Sequence, residues 1–358
     1  MGALVFVIVL SILVIVHEYG HLATAKALGV RVERFAFGFG PKLCSFTRSG
    51  TEYAICLIPL GGYVKMAGDE RNECKGAKEE FFSKPIGHRA LIVVTGPIVN
   101  YVFAFVCFCI VFMIGYPALG PNVGEVIKGY PAQLAGLQAG DKILAIDAVR
   151  VDSWENVQAH ISQGKSEQFT FLVERDHLQK TIVLNSLKEN MENVFGQKIQ
   201  TRVVGIKPKD QIILLKYGFF ESITRAGSKL VTITTTTYKA LYLMVTGAMS
   251  TKDGVTGPIG IFFIIKKAAE LGISYVIYIM AVISASLAIF NLLPLPVLDG
   301  GHLLFFGIEK LRGKPLSQKT DEVIYKIGFS LIICLAVFVF YSDFVRYGII
   351  DKIIHFKR

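Results

Sequence analysis

Near the N-terminus an apolar run is interrupted by His17-Glu18-Tyr19-Gly20-His21. On an α-helix, residues four apart share a face, so both imidazoles can reach one zinc ion. The intervening Glu18 then stands where it can take a proton from a water that the metal polarises. The same pattern arises by chance in unrelated chains, and the bland reading is a set of polar residues ending a membrane helix at the headgroups. Three ionisable side chains at the end of an apolar run are costly there, which favours a functional role. A hydrolytic zinc site wants a third protein ligand and one open position. Two candidates follow the segment Asn291-Leu-Leu-Pro-Leu-Pro-Val-Leu: Asp299 and His302, with Gly300 and Gly301 between them. Pro294 and Pro296 lack backbone donors and forbid a regular helix, which frees carbonyls to line a cavity. The bland alternative is that Asp299 only starts a turn. His88, His160, His177 and His355 are scattered and receive no role.

These residues need a scaffold, and the chain offers an apolar one. Hydrophobic residues make up 52% of it and charged residues 18%, below the roughly 25% charged share of globular domains. Four stretches reach the length of a membrane helix, about 20 apolar residues. They run from about Ala3 to Leu28, Ala90 to Tyr116, Ile273 to Leu298 and Val323 to Val345. The first lacks a basic start and a small-residue cleavage site, so it is expected to be retained rather than removed as a signal peptide. The net charge of +10 is assigned to Lys and Arg flanking these spans. No basic run is interleaved with aromatics, so nucleic acid is excluded as a partner and the lipid bilayer is the expected surroundings. Lys26, Arg31, Arg34, Lys42 and Arg48, and later Lys310, Arg312, Lys314 and Lys319, put both short loops in the cytoplasm by the positive-inside rule. The long Pro117–Gly272 region then lies outside, although the basic tail ending Lys357-Arg358 argues mildly against this. None of the six cysteines forms a CxxC pair, which removes a cysteine zinc site or redox motif.

The loop Arg31–Met66 reads as a β-hairpin or small sheet turned at Thr47–Gly50 and dipping into the membrane surface. After the second span, Val123–Ile127 alternates as a strand, Tyr130–Asp141 as a turn, short helix and turn, and Lys142–Ile146 as a second strand. Trp154–Ile161 has helical periodicity, and Gln168–Val173 with Gln179–Leu184 form a hairpin. This is the element order of a PDZ domain of the permuted bacterial type, closing near Val204–Ile206. Gly218–Thr246 is helical and Thr-rich, and Arg225, Lys229 and Lys239 favour a helix on the membrane surface over a fifth span.

Taken together, HEYGH in a first membrane helix, the PDZ pattern, Gly96-Pro-Ile-Val-Asn100, Gly257-Pro-Ile-Gly260 and NLLPLPVLDGG resemble the site-2 protease family, peptidase family M50, over nearly the whole chain. The likeness is strongest to its bacterial regulator-of-sigma-E group. The resemblance implies a zinc metalloendopeptidase of the bacterial cytoplasmic (inner) membrane, with its active site toward the cytoplasm and its PDZ domain outside. It implies that His17, His21 and Asp299 bind zinc and that Glu18 is the catalytic base. It further implies that the Arg31–Met66 sheet, through Gly61 and Tyr63, and Asn291, Pro294 and Pro296 contact substrate. Expected substrates are single-span membrane proteins, pre-cleaved by another protease or intact, an anti-sigma factor or signal-peptide remnants among them. Two features depart from the pattern: Ser286 stands where many members carry Asn, and one PDZ domain is legible where the enteric enzymes have two.

The expected fold is thus a polytopic α-helical membrane protein of about four transmembrane helices, with a membrane-associated β-hairpin or sheet and one extracytoplasmic β-rich PDZ domain. The divisions are residues 1–116, 117–208 (PDZ), 209–272 (membrane-surface helical linker) and 273–358. Two other classes compete. A membrane scaffold would keep HEYGH as a relic, against which the intact Glu18 and Asp299 weigh. A zinc transporter or sensor would not need Glu18 between its ligands, and it would be expected to show repeated halves.

Overall fold

The computed structural model describes residues 2–164, 166–193, 196–249 and 256–348. The basic tail to Arg358 and His355 lie outside the described residues. Among the described residues, four helices are long and apolar enough to cross a membrane: Gly2–Ala27, Ile86–Ile114, Ile273–Asn291 and the Lys319–Arg346 part of Gln318–Arg346. The chain is therefore a multi-pass membrane protein with added β-sheet. Contacts divide it into two units, one of 1–109, 223–238 and 255–358, the other of 110–222 and 239–254.

In the first unit, α1 (Gly2–Ala27) leads into β1 (Val32–Arg48) and β2 (Thr51–Met66), turned at Ser49-Gly50. The expected hairpin is more folded than its sequence suggests. Phe35 pairs with both Val64 and Tyr53, and Ala36 with both Tyr63 and Ala54. Each strand doubles back, so the Arg34–Phe37 segment lies between two parts of β2. The bend needs Gly38 (φ 85°), where a Cβ would stand 2.5 Å from the Ile58 carbonyl oxygen, on a backbone that L side chains rarely adopt.

The helix α2 (Ile86–Ile114) crosses α1 closely, because a Cβ on Gly20 would stand 2.7 Å from the Thr95 carbonyl oxygen. Small residues at such a crossing let backbones approach without lipid-side penalty. Helix α7 (Ile273–Asn291) ends before the expected Leu298: Pro294 and Pro296 remove donors, and the chain turns through 292–298 into α8 (Asp299–Arg312). Helix α9 (Gln318–Arg346) follows.

One expected linker residue range behaves differently. Within 209–272 lie α5 (Phe219–Val245) and a separate α6 (Pro258–Leu271). Ile265 of α6 is buried with Val9 and Leu13 of α1, so α6 is packed into the helical unit rather than resting as a surface linker. Its start explains Gly257-Pro-Ile-Gly260. The buried Asp343 carboxylate of α9 accepts from Gly257 N–H (3.1 Å) and Gly260 N–H (2.9 Å), satisfying donors that a helix N-terminus leaves open. A Cβ at Gly257 would stand 2.6 Å from Asp343 Oδ2.

The second unit is β-rich. A four-stranded sheet runs in the order β6 (Val149–Arg150), β5 (Lys142–Ile146), β7 (Gln168–Arg175), β8 (Leu178–Asn185). A short α3 (Pro131–Leu134) and α4 (Trp154–Gln163) accompany it, and α4 is capped by Ser153 accepting from Asn156 N–H. Val157, Ile143, Phe169 and Phe171 are among the residues that fill one core. Three pairings were not legible beforehand or only at their ends: β3 (Tyr116–Leu119) with β12 (Ile212–Leu215), β9 (Leu187–Glu192) with β10 (Lys198–Val203), and β4 (Val123–Val126) with β11 (Ile206–Pro208).

Candidate metal centre

Near its C-terminal end α1 presents His17, Glu18 and His21 toward α2 and the start of α8. The crossing at Gly20 has its counterpart at Gly96, where a Cβ would stand 2.5 Å from His21 Cε1 and 2.9 Å from His17 Cε1. Glycine at 96 is what lets two imidazole rings lie against the α2 backbone. His21 Nδ1 is 2.9 Å from the Ile92 carbonyl oxygen; as the donor there it leaves Nε2 unprotonated. His21 Nε2 and His17 Nε2 are 3.2 Å apart.

The third group arrives from a different helix. Asp299 Oδ2 lies 3.2 Å from His17 Nε2 and Asp299 Oδ1 3.7 Å from His21 Nε2. All three donor atoms fall within 4.8 Å of one another. The tight turn before α8 sets this geometry: Val297 takes a φ of 80°, and Gly301 sits against Pro296 Cα, 3.0 Å from where its Cβ would be. Such a backbone in a β-branched residue is uncommon and strained.

This donor set suits a dication. Asp299 Oδ2 is buried without a hydrogen-bond partner, and three groups with free lone pairs facing one point would repel unless a cation lies between them. Two imidazoles and one carboxylate are the ligands of catalytic zinc sites that keep a fourth position open. His302, the other candidate, is not part of the cluster. Its Nδ1 lies 3.0 Å from the Tyr325 hydroxyl, and burial pushes its pKa below the ordinary imidazole value.

A cavity of about 690 Å³ opens onto this cluster, lined by Glu18, His21, Asp299, His302 and Tyr325, with Arg71, Glu309 and Asp321 farther along. The charged group is tied together: Arg71 Nε donates to Asp321 (3.1 Å) and Arg89 Nη2 to Glu309 (2.7 Å). On its other side Glu18 meets the sheet, since a Cβ on Gly62 would be 3.3 Å from Glu18 Cγ.

The remaining expected residues are distributed unevenly. Asn291 reaches the centre, its side-chain nitrogen 3.4 Å from His17 Nε2. Gly61 (φ 112°) and Tyr63 lie in β2; the Tyr63 ring stacks on Phe39 and its hydroxyl accepts from Arg34 Nη1 (3.2 Å). Pro294 and Pro296 lie in the 292–298 turn, where a Cβ on Gly328 of α9 would stand 3.0 Å from Pro296 Cγ. Neither proline lines the cavity. Gly20, Gly96 and Asn100 stand out in the sequence only as parts of motifs, which give no hint of their contact with the histidines.

The chain is similar to known proteins over most of its length. The model of peptidase family M50 matches residues 5–335. A protein named as a zinc metalloprotease in Clostridium acetobutylicum is 35% identical over 339 residues, covering 95% of this chain and 96% of that one. Another so named in Mesorhizobium japonicum is 33% identical over 362 residues, covering 96% and 98%. The regulator of sigma-E protease of Escherichia coli K12 is 31% identical over 441 residues, covering 95% and 98%. The chain belongs to peptidase family M50 and is a zinc metalloendopeptidase.

Proposed function

We propose that this chain cuts membrane proteins in or near their transmembrane segments, with His17, His21 and Asp299 holding zinc and Glu18 as the general base. The observation that carries the reading is the convergence of three donor atoms within 4.8 Å beside Glu18, on a helix apolar enough to cross a membrane. Zinc, when bound, supplies Lewis acidity toward the scissile carbonyl and the attacking water. Glu18 takes the proton of that water and returns it to the departing amine. Asn291, 3.4 Å from His17 Nε2, is placed to donate to the carbonyl oxygen as charge develops on it.

A peptide bond within a substrate helix is shielded, so the helix has to unwind, and its freed backbone groups need partners in a low-dielectric setting. We assign that role to the sheet of β1 and β2, to whose edge an extended substrate segment adds as a strand. Gly62, packed against Glu18, makes the Gly61–Tyr63 part the natural place for it. The β-rich unit is read as a PDZ domain that recognises substrate ends, outside the bacterial cytoplasmic membrane, with the metal centre toward the cytoplasm as the positive-inside charges suggest. Single-span substrates fit this arrangement, whether cut beforehand or not, and anti-sigma factors and signal-peptide remnants are the two classes to try first.

The test is Glu18→Gln. The amide is isosteric and no ligand is lost, so zinc content stays near one per chain while cleavage of a single-span substrate falls by about 10²–10⁴-fold. Near-normal turnover at full metal content would remove Glu18 from the chemistry.

A further inference from the structure

We propose that Asn100 is a positioning residue for the metal centre, its amide oxygen accepting the Nδ1–H of His17 and so presenting an unprotonated Nε2 to zinc. The inference deepens, and rests on, the assignment of His17 as a ligand. His17 Nε2 is the nitrogen that faces Asp299 and His21, at 3.2 Å from each. A neutral imidazole with a free Nε2 carries its proton on Nδ1, which must then donate. The group that meets it is one end of the Asn100 side-chain amide, 3.4 Å from Nδ1.

The two ends of an amide have the same shape, and hydrogen bonding decides which is which. Asn100 has no exposed surface, and the end of its amide turned away from His17 has no partner. Either orientation leaves that far end unpaired, so the near end decides. An N–H there would face another N–H on the liganding tautomer, whereas an oxygen there accepts it. The oxygen therefore belongs against His17.

The arrangement has a counterpart one helical turn along α1. His21 is held by the Ile92 carbonyl oxygen at 2.9 Å, also from α2. The two helices run antiparallel and meet at Gly20 and Gly96, so His21 falls beside residue 92 and His17 beside residue 100. At Ile92 a backbone carbonyl lies in reach; eight residues on, a side-chain carbonyl takes the same part. The position of Asn100 is further fixed from α7, where the Ser284 hydroxyl donates to the Asn100 carbonyl oxygen at 2.8 Å. Outer partners of this kind fix the ring and raise its basicity toward the metal.

The experiment compares Asn100→Leu and Asn100→Asp in the full-length protein in detergent. Zinc affinity is read by competition with a chelating dye, independently of cleavage. Asn100→Leu should weaken zinc by about 10–100-fold. Asn100→Asp, which as a carboxylate only accepts, should bind zinc as tightly as the parent or more so. Zinc affinity of Asn100→Leu within about threefold of the parent, or an Asn100→Asp as weak as Asn100→Leu, would overturn the proposal. Should Asn100→Leu not fold, the Asn100→Asp affinity alone decides it. His17→Ala serves as the separate control: if it keeps parental zinc affinity, His17 is no ligand, and the metal-site reading itself falls.

Discussion

Adding one methyl group at Gly96 should disable the metal centre without replacing a ligand. In Gly96→Ala the new carbon would stand 2.5 Å from His21 Cε1 and 2.9 Å from His17 Cε1. Comfortable carbon contacts are about 3.5–4.0 Å, so the His21 ring must withdraw by about 1 Å. It has little room: its Nδ1 is already hydrogen-bonded to Ile92 at 2.9 Å, and its Nε2 is 3.2 Å from that of His17. Zinc ligands tolerate about 0.2 Å of displacement, so the required movement exceeds the tolerance several-fold. Alternatively α1 and α2 separate, which loses the close crossing at Gly20. Zinc affinity should then fall by at least the ~10–100-fold that follows loss of an outer partner. Titration against a chelating dye, with metal content per chain, measures this in the purified protein. A Gly96→Ala protein with parental zinc affinity would refute the reasoning, because the rings would then have room that the geometry denies them.

Two further outcomes concern stability. Burial pushes the Asp141 carboxyl up, but the Arg175 guanidinium, bonded to both its oxygens at 2.6 and 2.7 Å, and the Gln138 N–H hold it below its ordinary value. Stability from this pair is thus complete above pH ~4 and lost as pH falls through the lowered value. Arg175→Met should cost about 3–5 kcal/mol by leaving a buried acid uncompensated, seen as faster hydrogen exchange in β5 and β7. Unchanged exchange would show that the ion pair is dispensable. Asp343→Ala strands the Gly257 and Gly260 N–H groups and should cost about 1–3 kcal/mol in thermal unfolding, with Asp343→Asn in between. Equal losses for both variants would show that packing, not the two bonds, sets the effect.

What could be read in the sequence was whatever is local along the chain. Two histidines four apart, the alternation in Gln168–Val173 and the prolines of 294 and 296 each declare themselves within a few residues. The donors' common point does not, because it depends on how α8 meets α1. Asn100 and Gly96 look like ordinary residues of an apolar helix until the crossing at Gly20 is known. The doubled sheet was missed for a similar reason: a hairpin pattern fixes its turn, but not that Phe35 pairs on both sides. The pairing of β3 with β12 joins segments more than 90 residues apart in chain order, and no short-range period betrays it. Helix α6 was merged into a linker because its packing partners, Val9 and Leu13, lie at the opposite end of the sequence.

His302 provides the sharpest check on which groups hold the metal. It lies three residues after Asp299, in the same cavity, and a histidine is the commoner zinc ligand. Sequence spacing alone therefore leaves the two in competition. The geometry separates them: Asp299 Oδ2 is a buried acceptor with no hydrogen-bond partner, while His302 Nδ1 meets the Tyr325 hydroxyl at 3.0 Å. Recruiting His302 would take away the partner of that half-buried hydroxyl. His302→Ala should accordingly keep one zinc per chain with affinity within about threefold, while lowering thermal stability. Tyr325→Phe should leave zinc equally untouched, because the ring that loses its partner is not a ligand. Asp299→Ala should lose zinc by well over the ~10–100-fold expected for an outer partner, since a ligand and its neutralising charge go together. The three affinities, measured under one buffer with one competing dye, form an ordered series. If His302→Ala falls with Asp299→Ala, the third ligand is misassigned and the unpaired oxygen of Asp299 needs another cause.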